Sequence, residues 1–241
     1  MNTREIILRR DALKAAAGIL GGAVLGGCAC AEKLGVGAGG ESQEKEEKEV
    51  RISAAEDLMR EHALLHRVLV IYAEGARRID ADKEAPLKPL GEAAAIVRTF
   101  VEDYHEKLEE THLFPRARAD GRFAALVDVL QNQHNVGRRL TDTVRELCGS
   151  NAGHSESARL SQTLKQFSTM YLPHAAREGT VLFPALPRLF GRSEYRQLGE
   201  RFEAREEELF GHDGFTRMVE RVAAIERSLD IGDLARFTPG V

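Results

Sequence analysis

The 241 residues contain no tryptophan, only three cysteines and seven prolines, and 6% aromatic residues. Cys28, Cys30 and Cys148 are too few and too scattered for a disulfide framework, and no Cys-x2-Cys pair offers a thiolate zinc cage. Cys148, placed just before Gly149, reads as a buried helix-end residue rather than a reactive thiol. Positive charge is not in excess either: 34 Lys and Arg stand against 38 Asp and Glu, a formal net charge of −4. That balance excludes the electrostatic footprint of a nucleic-acid binder. The apolar run from Ala15 to Leu25 is too short to span a bilayer as an ordinary helix of roughly 20 residues. With few prolines and a body dominated by Ala, Leu, Glu and Arg, the expected class is all-α, and the length allows one core of about 150–200 residues with some chain to spare.

The spare chain is at the front. Residues 1–27 read as an export signal, with Arg4, Arg9, Arg10 and Lys14 ahead of an apolar run from Ala15 to Leu25. Arg9-Arg10-Asp11-Ala12-Leu13-Lys14 resembles the twin-arginine export motif, with Ala12 where a larger apolar residue is usual. Leu25-Gly26-Gly27-Cys28 resembles a lipoprotein cleavage box, which makes Cys28 the expected lipid-bearing residue. Residues 28–52, rich in Gly and then in Glu and Lys, carry too little apolar surface to fold and read as a charged tether. The signal holds four positive and two negative side chains, so its removal leaves the mature chain at −6. The expected place is the periplasm or the outer side of the cytoplasmic membrane, by way of a lipid anchor.

The body is organised around a repeat. His105 to Pro115 and His174 to Pro184 share the frame His-x3-Glu-x3-Leu-Phe-Pro. On a helix, residues four apart lie on one face, so His105 with Glu109, and His174 with Glu178, each present an imidazole and a carboxylate together. A lone histidine precedes each motif, His62 by 43 residues and His134 by 40. The chain therefore reads as a duplicated helical hairpin.

Four helices follow from the apolar periodicity. The first opens at the capping box Ser53-Ala54-Ala55-Glu56 and turns Leu58, His62, Leu65, Leu69, Tyr72 and Ala76 inward. After a loop around Asp80 to Pro89, the second runs from about Leu90 through His112, with Ala94, Val97, Val101, His105, Leu108 and His112 inward. The third, from about Phe123 to Leu147, presents Val127, Leu130, His134, Gly137, Thr141 and Val144. The fourth begins near Ser155 and presents Leu160, Leu164, Phe167, Tyr171, His174, Glu178 and Val181. The expected fold is an up-down-up-down four-helix bundle over residues 53–190. Two further helical segments in 191–241, Ser193 to Phe210 and Gly214 to Leu229, would pack on its outside.

A single histidine on an apolar stripe is usually a hydrogen-bonded core residue, but six coincident positions are another matter. A buried carboxylate without a partner costs several kcal/mol, which a domain stable by about 5–15 kcal/mol does not bear twice without compensation. The neighbouring cations Lys107, Arg138 and Arg177 do not continue the inward stripes, so ion pairing does not answer for Glu109 and Glu178. Metal does. Four imidazoles and two carboxylates without thiolate suit iron, manganese or zinc, and their number fits two bridged ions better than one tetrahedral ion.

With these residues in view, the stretch from about Ala54 to Leu186 resembles the hemerythrin-like, or HHE, cation-binding family. The resemblance implies a four-helix bundle around two non-haem iron ions with an oxygen bridge. It implies His62, His105, His134 and His174 as terminal ligands, with Glu109 and Glu178 as bridging carboxylates. Oxygen-carrying hemerythrins have a second histidine where this chain has Arg138, and an aspartate five residues beyond the last histidine where this chain has Glu178 at four, so reversible oxygen carriage does not follow. Further candidates are His66, as a fifth imidazole or a surface residue; Glu106, about 100° from His105 on the helix; and Glu110, weaker than Glu106. His112 would orient a ligand or cap the core, and Tyr171 would fill core or donate to bound oxygen; His154 and His212 fall in loop-like contexts. The implied function is binding of, or redox chemistry with, dioxygen, peroxide or nitric oxide, with turnover left open; the alternative is an iron-responsive module whose fold depends on metal.

Overall fold

The computed structural model describes residues 52–149 and 154–240; the export signal, Cys28 and nearly all of the tether lie outside the described residues. The first helix, α1, spans Ala54–Asp80. It opens as its sequence requires: the Glu56 amide donates to Ser53 Oγ at 3.3 Å, and the Ser53 amide donates to Glu56 Oε2 at 2.9 Å. All six stripe residues from Leu58 to Ala76 are buried.

The second bundle helix, α2, begins at Leu87, behind Pro86, rather than after Pro89. Pro89 is tolerated there because first-turn amides have no intrahelical partner to lose. The helix continues to Asp120 as a succession of windings: α at Leu87–Ile96, π at Val97–His105, α at Glu106–Leu108, π at Glu109–Leu113 and α at Phe114–Asp120. The third, α3, spans Ala124–Gly149, and the fourth, α4, spans His154–Arg177. It runs on through a π turn at Glu178–Leu182 and a 3₁₀ turn at Phe183–Ala185.

Two of these π turns are the repeat itself, Glu-x3-Leu followed by Phe-Pro. In each, the phenylalanine amide reaches back five residues to the glutamate carbonyl, Phe114 to Glu109 and Phe183 to Glu178. The proline that follows has no N–H to donate, so the ladder restarts as a new turn. The wider winding moves Val181 off the inward stripe: Val181 is exposed while Leu182, one turn after Glu178, is buried.

The four helices form a closed ring in which α1 packs on α4, α4 on α3, and α3 on α2, with α2 returning to α1. Among the described residues there is no strand, and no helix is long and apolar enough to cross a membrane. Beyond the bundle, α5 spans Leu186–Phe210, broken at Gly191, whose φ of 71° is the left-handed conformation that glycine adopts without strain. The last long helix, α6, spans Gly214–Ser228. Both lie against α1, and α6 also against α2, where Phe210 and Phe215 pack on Phe100. Cys148 is half-buried near the end of α3, and burial pushes its thiol up to about 11, away from thiolate chemistry.

Candidate metal centre

The ring of helices brings His62, His105, Glu109, His134, His174 and Glu178 to one place, each no more than 5% exposed. Their imidazole Nε2 atoms point at the two carboxylates. His62 Nε2 lies 3.3 Å and His174 Nε2 3.0 Å from Glu178 Oε2; His105 Nε2 lies 3.6 Å from Glu109 Oε1, and His134 Nε2 3.4 Å from Glu109 Oε2. Two donor groups result, His62, His105 and Glu109, and Glu109, His134, His174 and Glu178, with Glu109 common to both.

The arrangement crosses the duplication. The carboxylate of each motif reaches the lone histidine of the other half, Glu109 to His134 and Glu178 to His62. The phenylalanines do the same: Phe114 stacks on His134 at 5.3 Å and Phe183 on His62 at 5.1 Å. The Leu-Phe-Pro ending of the repeat thereby has a purpose beyond the core, which is to fix the ring plane of the opposite histidine.

Three of the four outward nitrogens are occupied. His105 Nδ1 donates to Glu61 Oε2 at 2.6 Å, His174 Nδ1 to Gln133 Oε1 at 2.9 Å, and His134 Nδ1 to Glu110 Oε1 at 3.1 Å. With the proton on Nδ1, the Nε2 lone pair is free for a cation, the usual tautomer of a ligating histidine. Glu61 and Gln133 are the residues just before the two lone histidines, so each half carries the same device. One is a carboxylate and the other an amide, which makes the two halves electrically unequal. Sequence reasoning passed over both, and the dipeptides Glu61-His62 and Gln133-His134 at matching places in the repeat were the signal.

The electrostatics identify what is missing. Burial holds His62, His105 and His134 at about 4, so all three are neutral near pH 7, as ligands must be. Burial and the nearby Glu178 drive the Glu109 carboxyl well above the ordinary range. None of the four carboxylate oxygens of Glu109 and Glu178 has a hydrogen-bond partner. Buried polar atoms in native proteins are nearly always satisfied, and four orphaned oxygens facing four Nε2 atoms form a donor set complete except for its cations. The residues therefore fit a pair of metal ions.

Several candidates lie elsewhere. His66 is exposed and joins neither donor group, so no fifth imidazole comes from α1. His112 is half-buried 5.9 Å from the Phe202 ring, away from the centre, because it lies beyond the start of the second π turn. His212 is exposed, and the side chain of His154 lies outside the described residues. Tyr171 does not face the cation position: its hydroxyl donates to Glu106 Oε1 at 2.6 Å. Glu106 also accepts from Arg138 at 2.7 Å, and Arg138 donates at 2.7 Å to Glu110 as well. Arg138 thus does pair with carboxylates on α2, those of Glu106 and Glu110 rather than those of Glu109 and Glu178, and Glu110 backs His134 instead of standing aside. Gly137 makes room for this network, since a Cβ there would lie 2.0 Å from Tyr171 Oη.

Residues 53–186 match the family described as the hemerythrin HHE cation binding domain. Uncharacterized proteins from Mycobacterium bovis and Mycobacterium tuberculosis are each 46% identical over 195 residues, covering 80% of this chain and 76% of the relative. No solved structure gives a significant match.

Proposed function

Because the chain belongs to the hemerythrin HHE cation binding domain family, we propose that its six converging side chains hold two non-haem iron ions and bind or react with dioxygen or a related small oxidant such as peroxide or nitric oxide. The observation that carries this reading is the set of four orphaned oxygens on Glu109 and Glu178 among four inward Nε2 atoms. His62 and His105 would be terminal ligands of one ion and His134 and His174 of the other, with Glu109 and Glu178 between them. Iron held there supplies the electrons for reducing a small oxidant. The chain supplies the rest. The phenylalanines and the Nδ1 partners hold the imidazoles in position, and the buried core keeps bulk water away. Glu106, with Tyr171 and Arg138, places a proton-bearing network beside His134.

The test is metal content and the optical spectrum of the purified protein after exposure to air. Two irons per chain with near-ultraviolet oxo-bridge bands is the expected result. Zinc or manganese at full occupancy after growth with ample iron overturns the assignment.

A second reading, an iron-responsive module, is favoured by the uncompensated buried charge, which couples metal occupancy to folding. Loss of protease resistance on chelation supports it, and a chelated protein that loses only its spectrum excludes it.

We further propose that the domain works at the cell envelope, exported through the Arg9-Arg10 signal and anchored by lipid on Cys28. The support is in the sequence: the arginine pair, the short apolar run, the box ending at Cys28 and the charged tether.

A further inference from the structure

Behind His105, on the side away from the histidine centre, Asp57 and Glu61 of α1 meet Glu206 of α5. One oxygen from each lies within 4.8 Å of the others. Asp57 is 6% and Glu61 2% exposed, and Glu206 is half-buried. Two of the buried groups here lack partners. Glu61 uses Oε2 on His105, and its Oε1 has no hydrogen bond. The Tyr104 hydroxyl, 1% exposed, has no partner within hydrogen-bond distance; it faces Glu61 and lies within electrostatic reach of all three carboxylates.

Charge does not balance. Among the described residues the one guanidinium in contact is Arg60, which donates to Asp57 Oδ1 at 3.1 Å, while Glu206 Oε1 accepts the Phe215 amide at 2.7 Å. Glu203 adds further negative potential. When ionised, three carboxylates against one cation leave a deficit of two positive charges in a largely buried place, and burial alone answers it by raising Asp57 to about 7 and Glu61 to about 8.

We propose that Asp57, Glu61 and Glu206, with the Tyr104 phenol, form a separate site for one hard divalent cation. All the donors are oxygen, which favours magnesium, calcium or manganese over zinc or copper and sets the site apart from the imidazole-rich centre. Half-buried Glu206 is its access to solvent. Glu61 joins the two places, holding His105 with one oxygen and presenting the other to the new site, so occupancy here is felt at His105 without sharing a ligand. The proposal stands on these oxygens and does not require iron in the histidine centre.

The test is titration of the full chain with Mn²⁺, followed by the six-line paramagnetic resonance signal of the free ion. Asp57→Asn with Glu206→Gln should remove one Mn²⁺ per chain or weaken that step at least about tenfold. Equal stoichiometry and affinity in the variant and the parent overturn the proposal. Tyr104→Phe gives a second readout that leaves the charges in place. Terbium(III) luminescence excited through tyrosine should be strong in the parent and largely lost in this variant, and unchanged luminescence counts against the site. His134→Ala separates the two readings: it should lower binding at the histidine centre and keep the hard-cation step. An unaltered Mn²⁺ count in His134→Ala would count against the centre and not against this site.

Discussion

Replacing Glu109 by glutamine should stabilise the metal-free protein and destabilise the metal-bound one. Glu109 is fully buried and neither of its oxygens has a partner. Its escape from charge is to take up a proton, and for a carboxyl of ordinary pKa 4.5 that costs about 4 kcal/mol at pH 7.5. The substituted amide is also buried and forfeits about 1–2 kcal/mol of hydrogen bonding. A net gain of about 2–3 kcal/mol remains, or roughly 4–10 °C in Tm for a domain of this size. The sign with pH follows from the raised carboxyl. Its contribution is intact below the unfolded value and is lost as pH rises, so metal-free parent protein should melt lower at about pH 8 than at about pH 6.5, and the slope should shrink in Glu109→Gln by up to about 1.4 kcal/mol per unit. His62, His105 and His134, held at about 4 by burial, act in the opposite sense and only on the acid side of 6.5. Asp57 and Glu61, raised by burial to about 7 and about 8, keep their own part of the slope in both proteins. Ferrous iron added anaerobically should reverse the order, because the parent gains about 2.7 kcal/mol at a hundredfold excess over Kd and the variant lacks one of the carboxylate oxygens that would hold the metal. The assay is circular dichroism melting in chelator and in ferrous iron at both pH values. A variant that melts below the parent in chelator would refute the reasoning, since it would mean that Glu109 has a stabilising partner without metal.

Gly137→Ala should cost about 1–3 kcal/mol by forcing Tyr171 from Glu106, and Tyr171→Leu in the same chain should make the pair cost less than the sum, read by denaturant unfolding. Arg138→Met should cost about 3 kcal/mol by leaving the buried Glu106 without a cation and with only the Tyr171 hydroxyl, with recovery when Glu106→Gln is added. At the envelope, Arg9 and Arg10 changed to Lys should leave iron-loaded precursor in the cytoplasm. Cys28→Ser should release the protein from membranes without altering its iron content, and full membrane retention of Cys28→Ser would refute the anchor.

The bundle was legible because its core obeys the helical period with few exceptions: Leu58 to Ala76 and Val127 to Val144 are buried as their spacing requires. The six centre residues were legible because the motif occurs twice, and coincidence of a repeat with apolar stripes is hard to obtain otherwise. What stayed hidden depends on departures from ideal winding and on contacts between helices. An α-helical count turns Val181 inward, whereas the π turn started by Glu178 carries it out to solvent and keeps Leu182 buried. The same count leaves Glu106 well off the His105 face, yet it is buried against Tyr171 and Arg138. Glu61 and Gln133 lie beside the lone histidines in sequence but serve His105 and His174, one helix away. His66 shows the converse, because it lies one turn after His62 yet faces solvent.

The crossing of Phe114 onto His134 and of Phe183 onto His62 bears on how cations would leave. Each half of the molecule clamps an imidazole belonging to the other, so a breathing motion that parts α1 and α2 from α3 and α4 unseats both lone histidines at once. Neither cation would keep a half-site of its own. Release would then be all-or-none, tied to one sub-global opening rather than to two independent ones, and backbone amides around His62 and His134 should share a single opening free energy in hydrogen exchange.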